Sequence, residues 1–166
     1  MTTHDAGGLS ARDLVLARAI DAIASRHPLE AVNPGWDRYN TLTYNPGVKA
    51  GNTLYMSGFA ALDPHTQESL HPGDLRAQAE FTYDSILQTM AAAGVGAEAL
   101  LTTVEYVCPG GLGDYRAVAD VRREKLREPY PASTGIVCGG LLRDEFLLEV
   151  VPTADLRGIT DPPAAD

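Results

Sequence analysis

Two long helical segments, each set between runs that read as strands, restrict this chain more than any other feature. Such an alternation folds as one sheet with helices laid across it. Asp74 stands as an N-cap ahead of Leu75, Ala79, Thr82, Ile86, Met90 and Ala93, one face of a long helix that Gly94 ends. Upstream, Gly47 to Gly58 holds two extended runs around Gly51-Asn52, residue types that reach positive φ at low cost, and predicts a β-hairpin. Downstream, Thr102 to Val107 is rich in β-branched residues and predicts a strand that stops at Cys108-Pro109-Gly110-Gly111. The next helix runs from Asp114 to Arg127, with Tyr115, Val118, Arg122 and Leu126 on one side and Pro129 and Pro131 beyond it. Thr134 to Cys138 and Glu145 to Val151 read as two further strands, split by a Gly139-Gly140 loop.

Ahead of this pattern, Ser10-Ala11-Arg12-Asp13 reads as a capping box, and Leu16, Ile20 and Ile23 recur at helical spacing until His27-Pro28. A helix from Ser10 to Arg26 is expected. Leu29 to Tyr44 contains Pro34, Gly35, Trp36, Tyr39 and Tyr44 without a clean period, and reads as an irregular connector. The chain thus divides into an N-terminal extension (1–35), a core domain (36–157) and a polar, flexible tail (158–166). The order, a helix and then β-β-α-β-α-β-β, predicts an α/β (α+β) domain with one mixed sheet and two long helices on one face. The opposite face carries apolar residues that a small domain leaves uncovered, so a homo-oligomer is expected.

Composition narrows the function. At 166 residues and 45% hydrophobic, the chain suits a single well-cored domain. Thirteen Lys plus Arg against 22 Asp plus Glu give a net charge of −9, the wrong sign for neutralising phosphates, so no nucleic acid and no anionic membrane is expected as partner. No apolar run approaches the roughly 20 residues that span a bilayer, and the first residues lack a basic stretch followed by an apolar one, so a cytoplasmic location is expected. Two cysteines and four scattered histidines indicate neither a disulfide scaffold nor a metal site.

Several segments together carry a resemblance: Ala50-Gly51-Asn52-Thr53-Leu54-Tyr55-Met56-Ser57-Gly58, Leu62-Asp63-Pro64, Gly73-Asp74-Leu75 with Gln78, Ala92-Ala93-Gly94, and Tyr130-Pro131-Ala132-Ser133-Thr134. In this order, from about Tyr44 to Ala154, the chain resembles the Rid (reactive intermediate deaminase, YjgF-type) family. The resemblance implies a chorismate-mutase-like subunit, a homotrimer, and small-molecule clefts at the subunit boundaries. It also implies hydrolysis of enamines and imines to a keto acid and ammonia with no cofactor. In active members an arginine after the Pro-Ala pair holds the substrate carboxylate as a planar fork. Here that position is Ser133, so the chain is a divergent member whose cleft needs Arg143, Arg116 or another arginine for that task.

By the same resemblance Tyr44 is a cleft residue, Gly58 admits close approach of a ligand, and Glu149 orients or protonates water; Ser133 and Thr134 offer hydroxyls. Glu149, between the apolar strand residues Leu148 and Val150, faces the other way from its neighbours, towards a cleft or towards solvent. Glu105 lies where the family more often carries an apolar or aromatic side chain, and is either a second acid–base or amine-binding group or a paired structural or exposed glutamate. Cys138 is a reserve nucleophile or proton donor, or else a buried inert thiol. The aromatics before β-hairpin residue Gly47 either stack on a ligand or seal the domain edge. Two alternatives to imine or enamine hydrolysis stand beside it: enol-ether cleavage of the chorismate-hydrolase type, which requires arginines such as Arg143 at the cleft, and a non-catalytic ligand-binding trimer.

Overall fold

The structure, a computed structural model, describes residues 11–24 and 28–157. Its elements are α1 (Ala11–Ala24), β1 (Glu30–Val32), β2 (Gly47–Ala50), β3 (Thr53–Met56), α2 (Leu75–Ala92), β4 (Leu100–Val107), α3 (Arg116–Lys125), β5 (Ala132–Val137) and β6 (Leu148–Asp155). The expected cap at Ser10, the stop around Arg26 and His27, and the tail 158–166 lie outside the described residues.

The six strands form one mixed sheet in the order β1-β2-β3-β6-β4-β5. Only β4 and β5 pair in parallel, with α3 as the crossover between them; every other neighbouring pair is antiparallel. Late-sequence β6 therefore sits at the centre, between β3 and β4. On one face of the sheet α2 places Leu75, Ala79, Tyr83, Ile86 and Met90 against Leu54, Leu148, Val150 and Ala154, all buried, while α3 adds Val118 and Val121. The ends of α2 are built as its sequence indicates. Asp74 Oδ1 accepts from the Ala77 N–H at 3.0 Å, and the N–H groups of Gly94 and Val95 close the C-terminus on the carbonyls of Ala91 and Met90.

Most element ends shift from the sequence expectation by about two residues, α3 to Arg116–Lys125 and β5 to Ala132–Val137 among them, and two differences are larger. Glu30–Val32, inside the stretch expected to be irregular, pairs with β2, so the sheet begins before Trp36. The last strand is displaced from Glu145–Val151 to Leu148–Asp155 and runs through Pro152. The reason is Gln78, fully buried on α2. Its Nε2 donates to the Glu145 carbonyl at 2.7 Å, and its Oε1 accepts from the Leu147 N–H at 2.8 Å, which holds residues 145–147 as a loop. The sheet face away from the helices carries Tyr55, Tyr106, Thr134, Ile136, Glu149 and Val151, half-buried or exposed.

Candidate functional site

Where the chain leaves β3, four hydrogen bonds fix its path. Ser57 Oγ donates to the Asn45 carbonyl at 2.6 Å, the Ser57 N–H donates to the Pro46 carbonyl at 2.9 Å, and Phe59 exchanges both backbone hydrogen bonds with Val150 of β6. Gly58 is thereby pressed against the residue before Val150, which is Glu149. A Cβ built on Gly58 would overlap the Glu149 carboxylate, lying 2.9 Å from its Cδ. Glycine is required here for space.

Glu149 sits in the alternation of β6, with Leu148 and Val150 fully buried on the helix side and its own side chain on the other. Among the described residues it has neither a hydrogen-bond nor an ion-pair partner, and burial alone pushes its carboxyl above the usual 4.5.

The opposite wall comes from the segment before β2. Asn33 Oδ1 accepts from the N–H groups of Gly35 and Trp36 at 3.1 and 2.8 Å, a side-chain-stabilised turn across Pro34-Gly35 that folds the chain back into the short 3-10 helix Asp37–Asn40. Trp36 is buried edge-on against Phe59, with ring centroids 6.1 Å apart. Tyr39 lies beside Trp36 and meets Tyr44 edge-to-face at 5.7 Å. Burial raises the Tyr39 phenol pKa. Between these aromatics, Gly58 and Glu149 is a cleft of about 240 Å³, and Arg38 also lines it. Arg38 Nη2 donates to the Tyr44 hydroxyl at 3.2 Å, and its guanidinium carbon lies 5.2 Å from the Tyr39 ring centre.

Three of the expected site residues, Tyr44, Gly58 and Glu149, therefore meet in one cleft. Arg38 is the residue that sequence reasoning missed; the available signal was a cation set among the aromatics Trp36, Tyr39 and Tyr44. The other expected residues lie elsewhere. Arg143 does not line the cleft: its Nη1 donates to the Gln67 carbonyl at 2.8 Å and to Ser69 Oγ at 3.2 Å. Arg116 borders a separate groove with Asp74 and Asp120. Ser133 turns to the helix side, where its Oγ accepts from Thr103 at 3.0 Å and from Arg122 at 2.5 Å, and Thr134 is exposed on β5. Cys138 follows β5, its sulfur 3.9 Å from that of Cys108, whose thiol pKa burial raises.

Glu105 does not join Glu149. It is completely buried between the sheet and the two helices. Tyr83 of α2 donates to its Oε1 at 2.6 Å, Tyr115 donates to its Oε2 at 2.5 Å, and Arg122 of α3 reaches Oε1 at 3.1 Å. Gly135, beside Glu105 on β5, leaves the room that Tyr115 needs: a Cβ there would stand 2.6 Å from the tyrosine oxygen. Burial first, and the carboxylate second, push the Tyr115 hydroxyl up to about 12 and the Tyr83 hydroxyl upward as well. A carboxylate holding three donors in a dry interior is the paired structural form of a buried charge.

Comparison with known proteins places this arrangement in a class. The model of the family described as endoribonuclease L-PSP matches residues 38–156. The RidA structure from the Antarctic bacterium Psychrobacter sp. PAMC 21119 superposes with a TM-score of 0.63 at 29% identity, covering 69% of this chain and 89% of that one. The chain belongs to the endoribonuclease L-PSP (YjgF/Rid) family. Among its relatives is the 3-aminoacrylate deaminase RutC of Acinetobacter baylyi, 28% identical over 127 residues, which are 76% of this chain and 98% of that protein. A second is the 2-iminobutanoate/2-iminopropanoate deaminase of Dermatophagoides farinae, 25% identical over 93 residues, 56% of this chain and 70% of that protein.

Proposed function

We propose that the protein hydrolyses a small reactive imine or enamine in the Glu149 cleft. The observation that carries this reading is a half-buried carboxyl with no partner of its own, a raised pKa and a wall of aromatics around it. In the proposed reaction the Glu149 carboxylic acid gives its proton to the enamine carbon or imine nitrogen. The resulting carboxylate takes a proton from the water that adds to the C=N carbon and passes it to the amino nitrogen; as ammonia leaves, the proton of the new hydroxyl returns to Glu149, which gives the carbonyl and restores the acid. The balance is imine plus water to carbonyl plus ammonia; no metal, redox partner or organic cofactor takes part. The names of the two deaminase relatives support the reaction class. The net charge of −9 speaks against the RNA cleavage that the family's descriptive name mentions.

The reading includes a homotrimer. β5 is exposed along its whole length at the edge of the sheet, and docking against a second copy would cover it and bring Thr134 towards a neighbouring cleft. Light scattering after size exclusion tests the trimer, and cell fractionation tests the cytoplasmic location that belongs to the same reading. No described helix is long and apolar enough to cross a membrane. The enol-ether alternative, which needs more than one arginine for a dicarboxylate, is weakened, since Arg143 is bound to the 67–69 loop and Arg38 is the one arginine lining the cleft among the described residues.

The decisive assay generates imines from several amino acids with an amino-acid oxidase, traps them with semicarbazide, and compares wild type with Glu149→Ala. Faster loss of imine with wild type alone supports the reading. No acceleration with acidic, aliphatic or aromatic substrates removes it and favours the non-catalytic ligand-binding trimer.

A further inference from the structure

The proposed hydrolysis leaves Arg38 without a task, and the geometry around it is that of a binding group. Its Nε is buried and has no hydrogen-bond acceptor. One terminal nitrogen is committed to the Tyr44 hydroxyl, and one face of the guanidinium rests on the Tyr39 ring. These two contacts fix the plane of the fork and orient it without neutralising it. Among the described residues Arg38 forms no ion pair. Glu149 is the only acid among the described residues that line the same cleft. A charged N–H donor removed from water with nothing to accept from it is unfavourable, and an anionic oxygen in the cleft relieves that state.

We propose that Arg38 is the anion-binding residue of the cleft, taking the carboxylate of a small monocarboxylate ligand on its guanidinium and so directing the ligand's reacting carbon towards Glu149. A guanidinium held flat by an aromatic ring and a phenol is pre-set for the two parallel N–H···O bonds that a carboxylate accepts. The cleft offers one such fork, which selects one carboxylate, and its other walls are the aromatic and apolar side chains Tyr39, Tyr44, Leu142 and Phe146. Their chemistry suits an uncharged remainder. The positive charge thus comes from the segment before β2, and its position depends on the Asn33 turn that folds this segment over the cleft. The orientation towards Glu149 rests on the hydrolytic reading above; the anion site itself does not.

Calorimetric titration with 2-oxobutanoate and with uncharged butan-2-one, on the full-length protein, separates the two. Wild type is expected to bind the oxo acid, Arg38→Gln to weaken it by about tenfold or more, and Arg38→Lys to fall between them, because a point charge replaces the fork. Butan-2-one is expected to bind all three equally weakly, and the surface variant Arg76→Gln to match wild type. Melting curves establish that both Arg38 variants are folded, and Arg38→Lys carries the test if Arg38→Gln is not. Equal oxo-acid affinity in wild type and either folded variant overturns the inference, as does a wild type that prefers butan-2-one or binds neither compound. Imine assays on the same samples distinguish the two readings. Arg38-dependent binding without turnover upholds the anion site and removes the hydrolase reading, whereas turnover of carboxylate imines that is indifferent to Arg38 upholds the hydrolase and removes the anion site.

Discussion

Glu105 and Glu149 stand on adjacent strands, one residue of register apart: Glu105 lies opposite Val150 and Glu149 opposite Tyr106. The pleat sends them to opposite faces of the sheet, and there the same side chain meets opposite conditions. Glu105 is drier, yet Tyr83, Tyr115 and Arg122 satisfy it completely. Glu149 is less buried and has no donor at all among the described residues. Under the proposed reaction, depth of burial therefore does not mark the working carboxylate. Absence of satisfied hydrogen bonds does, because a group already held by three donors has no capacity left for a substrate or a water.

The contrast can be broken experimentally. Its largest expected effect is on stability at Glu105. Removing one partner strands the others in the interior, so Glu105→Ala should cost about 3–5 kcal/mol in urea unfolding, and a variant that stays stable while losing turnover would exchange the roles of the two acids. Glu149→Gln should do the reverse. We expect imine hydrolysis to fall by roughly 10²–10⁴-fold with no loss in the unfolding midpoint; a large loss of stability would make Glu149 structural. Next comes Gly58→Ala, whose added methyl displaces the Glu149 carboxylate. A shift on the order of 1 Å is worth about 10²-fold in rate, and full activity in this variant would mean that the carboxylate position is not critical.

The smallest effect is a pH trend. Because the folded Glu149 carboxyl stands above the usual 4.5, the folded protein keeps this proton after the unfolded chain has released it. Its contribution favours the fold below 4.5 and is lost as pH rises through the folded value. The stability of wild type relative to Glu149→Gln should accordingly decline across that interval, and a rising difference would show that the carboxylate has found a partner.

The helices and the hairpin were legible because their information is local. Asp74 and Gly94 bracket α2, and the spacing of its apolar residues marks its face before any tertiary contact is known. β1 was not legible, since three residues carry no periodicity and take strand form only by pairing with β2. The boundary of β6 moved because Gln78, distant in sequence, clamps residues 145–147 and because β6 accommodates Pro152, a residue that cannot donate to the ladder. In the cleft, Tyr44, Gly58 and Glu149 were legible through the family resemblance. Arg38 was not, as its meaning depends on a turn that brings an apparently irregular segment back over the sheet. The partners of Glu105 come from both covering helices, so the choice between a catalytic and a structural carboxylate needed the fold.

The bare edge of β5 bears on how this chain behaves in concentrated solution. Ala-Ser-Thr-Gly-Ile-Val, residues 132–137, is uncharged, contains no proline and is exposed throughout, with one row of backbone N–H and C=O groups facing outward. Such a strand is a template for uncontrolled pairing between molecules, the first step towards fibrous aggregates. Glu128, Pro129 and Pro131, just ahead of it, are the residue types that interrupt this kind of growth. In concentrated solution, pairing through an uncovered β5 should thus appear first as turbidity, before any change in helix content.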